Sequence, residues 1–270
     1  SALVKKISNI LTRRMIRTLE QEMKNDRAKY DTFFAEFGHF LKEGAVTDFE
    51  RKNDIAKLLL FETSSRVAGE LSALDDYISR CPADQGNIYY LCAPSRELAQ
   101  ASPYFEAFKH HKMEVLFLYT PIDEFVMNNL AEYEGRKLVS AESAGLDLAA
   151  DGGRKDGGAQ EKESEGAKEE SDASHASLKT AAPELDDEAT KALSDYLKTV
   201  LDGKVSEVRV TSRLVSSPAV LVDHESAAIM RMMRMADQEH KSGGVPFRAQ
   251  SKHKLEINPA HPILRELDIA

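Results

Sequence analysis

Asn87-Ile-Tyr-Tyr-Leu91, Glu114-Val-Leu-Phe-Leu-Tyr119 and Lys137-Leu-Val-Ser140 are three short apolar runs that decide the fold class. Each is too short for a helix and too apolar for a surface loop, so each predicts a buried strand. Between the first two, Ser95 can cap a helix that runs, with a break near Pro103, to about His110. Between the second and third, Pro121 in a first turn starts a helix through about Tyr133. Strand–helix–strand–helix–strand with continuous apolar strands predicts a small parallel sheet between helical layers, joined by right-handed crossovers.

Upstream, the pattern is helical. Leu3, Ile7, Ile10, Leu11 and Ile16 recur at helical spacing among basic residues. Phe33, Phe34, Phe37, Phe40 and Leu41 mark a second amphipathic helix, closed near Gly44. Asp48 can cap a third, with Ile55, Leu58, Leu59 and Leu60 inward. The stretch LSALDDYISR reads as a short helix ended by Pro82.

Downstream, composition changes sharply. From Ala149 to Ser177 there is no Val, Ile, Leu, Met, Phe, Tyr or Cys. Alanine alone buries too little surface to offset chain entropy, so this stretch predicts a disordered linker. Residues 145–188 hold 13 acidic and 5 basic side chains, a net of −8 out of −9 for the 270 residues. After the linker come a helix over about 185–201, strands at 205–211 and 219–223, a helix over 225–241, a strand at 254–257 and a last helix opened by Pro262. The whole reads as α/β: a helical coil (1–80) followed by a small three-layer α-β-α parallel-sheet unit (81–145), an acidic low-complexity disordered insert (146–184), and a smaller α+β unit (185–270).

Several chemistries are excluded or unsupported. Two Cys cannot build a disulfide framework or a four-thiolate zinc site within one chain. Cys81 and Cys92 lie in or beside apolar sequence, as inert thiols do. The histidine pair His110-His111 sits at a helix end and reads as surface, and no metal site is expected. No phosphate-binding G-x-x-x-x-G-K-[ST], no G-x-G-x-x-G, no H-E-x-x-H and no G-x-S-x-G occurs. No apolar run approaches the ~18 residues of a bilayer span, and basic residues interrupt the N-terminal apolar ones, so neither a membrane anchor nor a signal peptide is expected. With the acidity confined to one segment and no basic face, nucleic-acid binding is not expected either.

One segment stands out. Met230, Met232, Met233 and Met235 fall within six positions. At ~100° per residue, Ile229, Met232, Met233 and Ala236 share a helix face, and Met230 and Met235 widen it to roughly 220°. Docking on a core needs little more than ~100°. The excess is buried either in a partner subunit or against varied apolar polypeptides, to which unbranched, polarizable Met adapts.

Taken together, NIYYLCAPSRELAQASPYFEAFK, EVLFLYTPIDEF, EGRKLVS, SRLVSSPAVLV and LEINPAHPIL resemble the ninety-kilodalton heat-shock chaperone (heat shock protein 90) family, in order and spacing, across nearly the whole chain outside the Ala149–Ser177 insert. The YYLCAP, SPY-F-EA and LFETSS stretches look most like its mitochondrial branch. The resemblance implies the end of the middle domain and a shortened C-terminal domain. It implies that ATP and Mg²⁺ bind in an N-terminal domain before Ser1, that the catalytic Arg lies just before Ser1, and that the dimerisation helices follow Ala270. No catalytic, cofactor or metal residue is then expected here, and self-association should be weak in this chain although the intact protein would be a homodimer. It further implies that Glu124, Phe125 and Asn128, with Ile229, Met232 and Met233, contact unfolded or partly folded client proteins; Met230 and Met235, which widen the apolar arc on the helical wheel, are taken as client contacts with them. The family often has Trp where Phe125 stands. The implied role is the client-binding and coupling portion of an ATP-dependent chaperone, in the mitochondrial matrix or alternatively the cytoplasm. The competing reading is an adaptor that grips one fixed partner through the Met-rich helix.

Overall fold

A computed structural model describes residues 2–152, 187–211, 213–222 and 253–268. The Met-rich stretch and most of the acidic insert lie outside the described residues.

The strands are real, and their alternation explains the layering. β3 (Asn87–Cys92) and β4 (Leu116–Leu118) lie side by side, parallel, at the centre of the larger sheet. Ile88, Tyr90, Leu116 and Leu118 face one core, with Ile16, Tyr30, Phe34, Leu74 and Val126. Tyr89, Leu91, Val115 and Phe117 face the other, with Phe105, Phe108 and Leu148. The period of two thus splits each apolar run between two helical layers. On the first side lie α1 (Ala2–Asn25), α2 (Arg27–Thr47), α3 (Lys52–Ala56), α4 (Leu74–Arg80) and α7 (Pro121–Leu130). On the second lie α5 (Arg96–Gln100) and α6 (Pro103–His110).

The sheet is larger and less uniform than expected. It has six strands in the order β2-β1-β4-β3-β6-β5, and only β4, β3 and β6 (Arg136–Ser140) run parallel. β1 (Leu60–Thr63) and β2 (Leu71–Ala73) add an antiparallel pair at one edge. β2 occupies the start of the stretch LSALDDYISR, and the helix begins only at Leu74. Strands of four and three residues are too short for a periodicity to show. At the other edge, α7 stops at Leu130 rather than Tyr133, and β5 (Glu132–Tyr133) forms a hairpin with β6. Its two turn residues, Glu134 and Gly135, both have positive φ, 47° and 76°, as the right-handed strand twist demands of a two-residue turn.

Beyond β6 the chain does not leave the unit at once. Leu148 is buried in the second core. The Asp151 carboxylate accepts from Gly86 N (2.5 Å), Asn87 Nδ2 (2.9 Å) and Tyr89 Oη (2.7 Å). The packed region therefore runs to Gly152.

The second unit is a three-stranded sheet in the order β7-β9-β8. β7 (Val205–Val210) is parallel and β8 (Ala219–Val222) antiparallel to the central β9 (His253–Ile257). α8 (Asp187–Val200) and α9 (Pro262–Asp268) pack Leu193, Leu197 and Leu264 around Ile257. Leu214, Val220 and Val222 pack instead toward Tyr104 and Ala144 of the first unit.

Candidate functional site

α7 carries three of the residues marked from sequence, and its start is firmly built. Pro121 takes the first turn, where its missing N–H costs nothing. Asp123 accepts from both Thr120 N (3.1 Å) and Thr120 Oγ1 (2.7 Å). Its other oxygen lies 2.6 Å from Lys42 Nζ on α2, in a largely buried pair. At the far end, Asn129 Nδ2 donates to Val46 O and Lys52 Nζ donates to Asn129 O, each within 2.6 Å. α7 is thereby bolted to α2 and α3 by polar contacts at both ends.

The three marked residues do not share one environment. Glu124 is only 9% exposed and faces inward. Burial, with the Glu124, Glu142 and Asp123 carboxylates opposite it, pushes the Cys92 thiol far up, so it stays protonated and bonds to Glu124. Burial also raises the Cys81 thiol. Phe125 is half-buried and Asn128 exposed. Asn128 Oδ1 accepts from Tyr90 Oη at 3.3 Å. Phe125 and Asn128 are thus the two that reach the surface. Ile229, Met230, Met232, Met233 and Met235 lie outside the described residues.

The structure adds neighbours that sequence reading did not single out as a surface. Between α2, Leu71 and the start of α7 lies a mainly apolar groove of about 560 Å³, lined by Phe34, Gly38, His39, Lys42, Pro121 and Ile122 among others. Gly38 opens its floor: a Cβ there would come within 3.0 Å of the Phe34 ring. Lys42 Nζ sits over the Phe34 and Phe61 rings, 5.7 and 5.6 Å from their centroids. Along α2, Phe33, Phe37 and Phe40 form a ladder with centroids 5.2 and 6.4 Å apart. Phe37 is 50% and Phe40 62% exposed. Four Phe within eight residues was the available signal. Which of them face water depended on how α2 meets α1 and α7, which spacing does not fix.

The groove can hold apolar and aromatic side chains weakly, with Lys42 and His39 as polar edges. It offers no nucleophile–base pair. Among the described residues no three His, Cys, Asp or Glu side chains converge to hold a metal ion, and no helix is long and apolar enough to cross a membrane.

A family model described as Hsp90 protein matches residues 1–270. The chain belongs to the Hsp90 family. It is 37% identical over 272 residues to the mitochondrial TNF receptor-associated protein 1 homolog of Dictyostelium discoideum, covering 99% of this chain and 34% of that protein. It is 35% identical over 269 residues to the chaperone protein HtpG of Desulfitobacterium hafniense, covering 99% and 39%. It is 37% identical over 273 residues to the mitochondrial heat shock protein 75 kDa of Bos taurus, covering 99% and 35%. The chain therefore spans little more than a third of the length of these relatives.

Proposed function

We propose that this chain is the client-binding and coupling portion of an ATP-dependent chaperone, comprising the end of the middle domain and part of the C-terminal domain. The observation that carries the reading is the surface made by α7 and α2. α2 and α7 are bolted together around an apolar groove lined by Phe34, Pro121 and Ile122, and the same two helices carry half-buried Phe125 and exposed Asn128, Phe37 and Phe40 outside it, in a chain with a relative named a chaperone. A rigid scaffold presenting exposed aromatic side chains grips unfolded chain without selecting one sequence. Glu124 lies behind this surface and orients α7 through Cys92. The Met-rich segment, with Ile229, Met230, Met232, Met233 and Met235, supplies a second, adaptable apolar grip.

ATP and Mg²⁺ belong, in this reading, to a domain outside these 270 residues, and so do the helices that complete a homodimer. The named relatives include two mitochondrial proteins and one bacterial one, so a mitochondrial placement stands beside a cytoplasmic one.

The test is a titration with a permanently unfolded model client. Phe125→Ala is expected to weaken binding at least five-fold per folded molecule. Because Phe125 is only half-buried, the loss of stability should stay below the ~3–5 kcal/mol of a core Phe→Ala change. Unchanged affinity in a folded variant would remove Phe125 from the client surface.

A further inference from the structure

The two units share no strand, yet polar side chains cross between them in both directions. From α6, Glu106 reaches the loop before β8, where its carboxylate accepts from Ser216 N. Ser216 N is the hydrogen-bonded donor, on Oε1; the Ser216 hydroxyl and the amides of Val215 and Ser217 lie near enough to help hold the carboxyl's pKa down, while Oε2 is buried without a hydrogen-bond partner among the described residues. The loop is shaped for this. Buried Asn258 donates from Nδ2 to the carbonyls of Leu214, Val215 and Ser217 at 3.2, 3.5 and 3.4 Å. Asn258 N donates to Pro218 O at 2.9 Å. With its carbonyls held by Asn258, the loop presents the Ser216 amide outward, and Glu106 takes it. His261 Nε2, just before α9, lies 3.1 Å from Ser216 O and steadies the loop.

The reverse crossing uses Arg213, 8% exposed. Its Nη1 donates to Ala141 O (3.3 Å) and Ser143 O (3.1 Å) in the segment after β6. Its Nε lies 2.7 Å from Glu256 Oε2, and Glu256 Oε1 accepts from Gly145 N at 3.2 Å. Tyr104 Oη donates to Leu221 O between the two crossings.

We infer that Glu106 and Arg213 form a two-point clamp that fixes the C-terminal unit on the α-β-α unit, so that α6 and the smaller sheet move as one body. Glu106 is a positioning residue in this clamp. Its carboxylate is held by one short loop, whereas Arg213 is sealed in a buried ion pair with backbone partners. Glu106 is therefore the point that opens first. The inference does not depend on client binding.

The experiment measures ¹⁵N relaxation on the full 270-residue chain and on Glu106→Ala. In the parent chain, amides of β3 and β4 and amides of β7–β9 should share one rotational correlation time. In Glu106→Ala they should separate by more than about a quarter. The Ser216 and Gly145 amides should exchange at least ten-fold faster while Leu91 keeps its protection. A residue that merely added stability would shift the melting temperature and leave a single correlation time. Independent tumbling in the parent chain, or a single correlation time in Glu106→Ala, would overturn the clamp. If Glu106→Ala does not fold, Glu106→Gln keeps an acceptor without the charge. It should accelerate Ser216 exchange in the same direction by a smaller factor, and unaltered exchange there counts against the inference.

Discussion

Tyr77 shows how much one buried polar atom can organise. Its ring is fully buried, and its hydroxyl donates to Glu114 O at 2.7 Å while receiving Gln85 Nε2 and Tyr89 N, each at 3.2 Å. One oxygen thus ties α4 to the starts of β3 and β4. Tyr77→Phe keeps the packing and orphans a carbonyl and two donors. It should lower unfolding free energy by about 1–3 kcal/mol in a denaturant titration, since unmet buried groups carry their desolvation cost. Glu106 makes a pH-dependent case. Burial raises its carboxyl, but the nearby Ser216 hydroxyl and the Ser216, Val215 and Ser217 amides outweigh that and hold it below the ordinary value of 4.5. A carboxyl lowered in the folded state stabilises above its unfolded pKa, and that contribution is lost as pH falls through the folded one. Between about pH 5 and pH 3, Glu106→Gln should therefore lose stability less steeply than the parent chain, as followed by chemical denaturation at each pH. Neither site was legible in the sequence. Glu106 and Ser216 are 110 positions apart, and no spacing pattern reports such a pairing. Glu124, Phe125 and Asn128 were named from family resemblance, which cannot say that the first turns inward.

At the scale of elements, the long and strongly patterned ones were readable. α7 was expected from Pro121 onward, β3 and β4 from their apolar runs, and the helices before them from their spacing. What escaped were pieces whose existence depends on a neighbour. β1 and β2 are strands because β4 offers an edge to pair with, not because four or three residues prefer it. The exposed aromatic ladder on α2 escaped for the same reason. The joint between α2 and α7 can be tested directly. Asp123 is 3% exposed and serves both as the side chain that bonds back to the N-cap Thr120 of α7 and as the partner of Lys42. Asp123→Ala removes both bonds from Thr120 and strands a largely buried ammonium, so a loss of about 3–5 kcal/mol is expected by thermal or chemical unfolding. A loss below ~1 kcal/mol would mean that water replaces the carboxylate freely and that the joint is loose.

For the whole molecule, the proposed function is one-sided: the α2–α7 side would bind unfolded polypeptide and the α5–α6 side would not. The layering makes the two sides separable, because the sheet stands between them. Exposed positions exist on both: Phe40 and Asn128 on the first, Gln100 on the second. The most direct measurement places a photo-crosslinking amino acid at each of these three positions in turn and irradiates with a labelled, permanently unfolded client. Strong crosslinks are expected from positions 40 and 128, competed away by unlabelled client, with background levels from position 100. Equal crosslinking from all three, or none from 40 and 128, would contradict the proposed function.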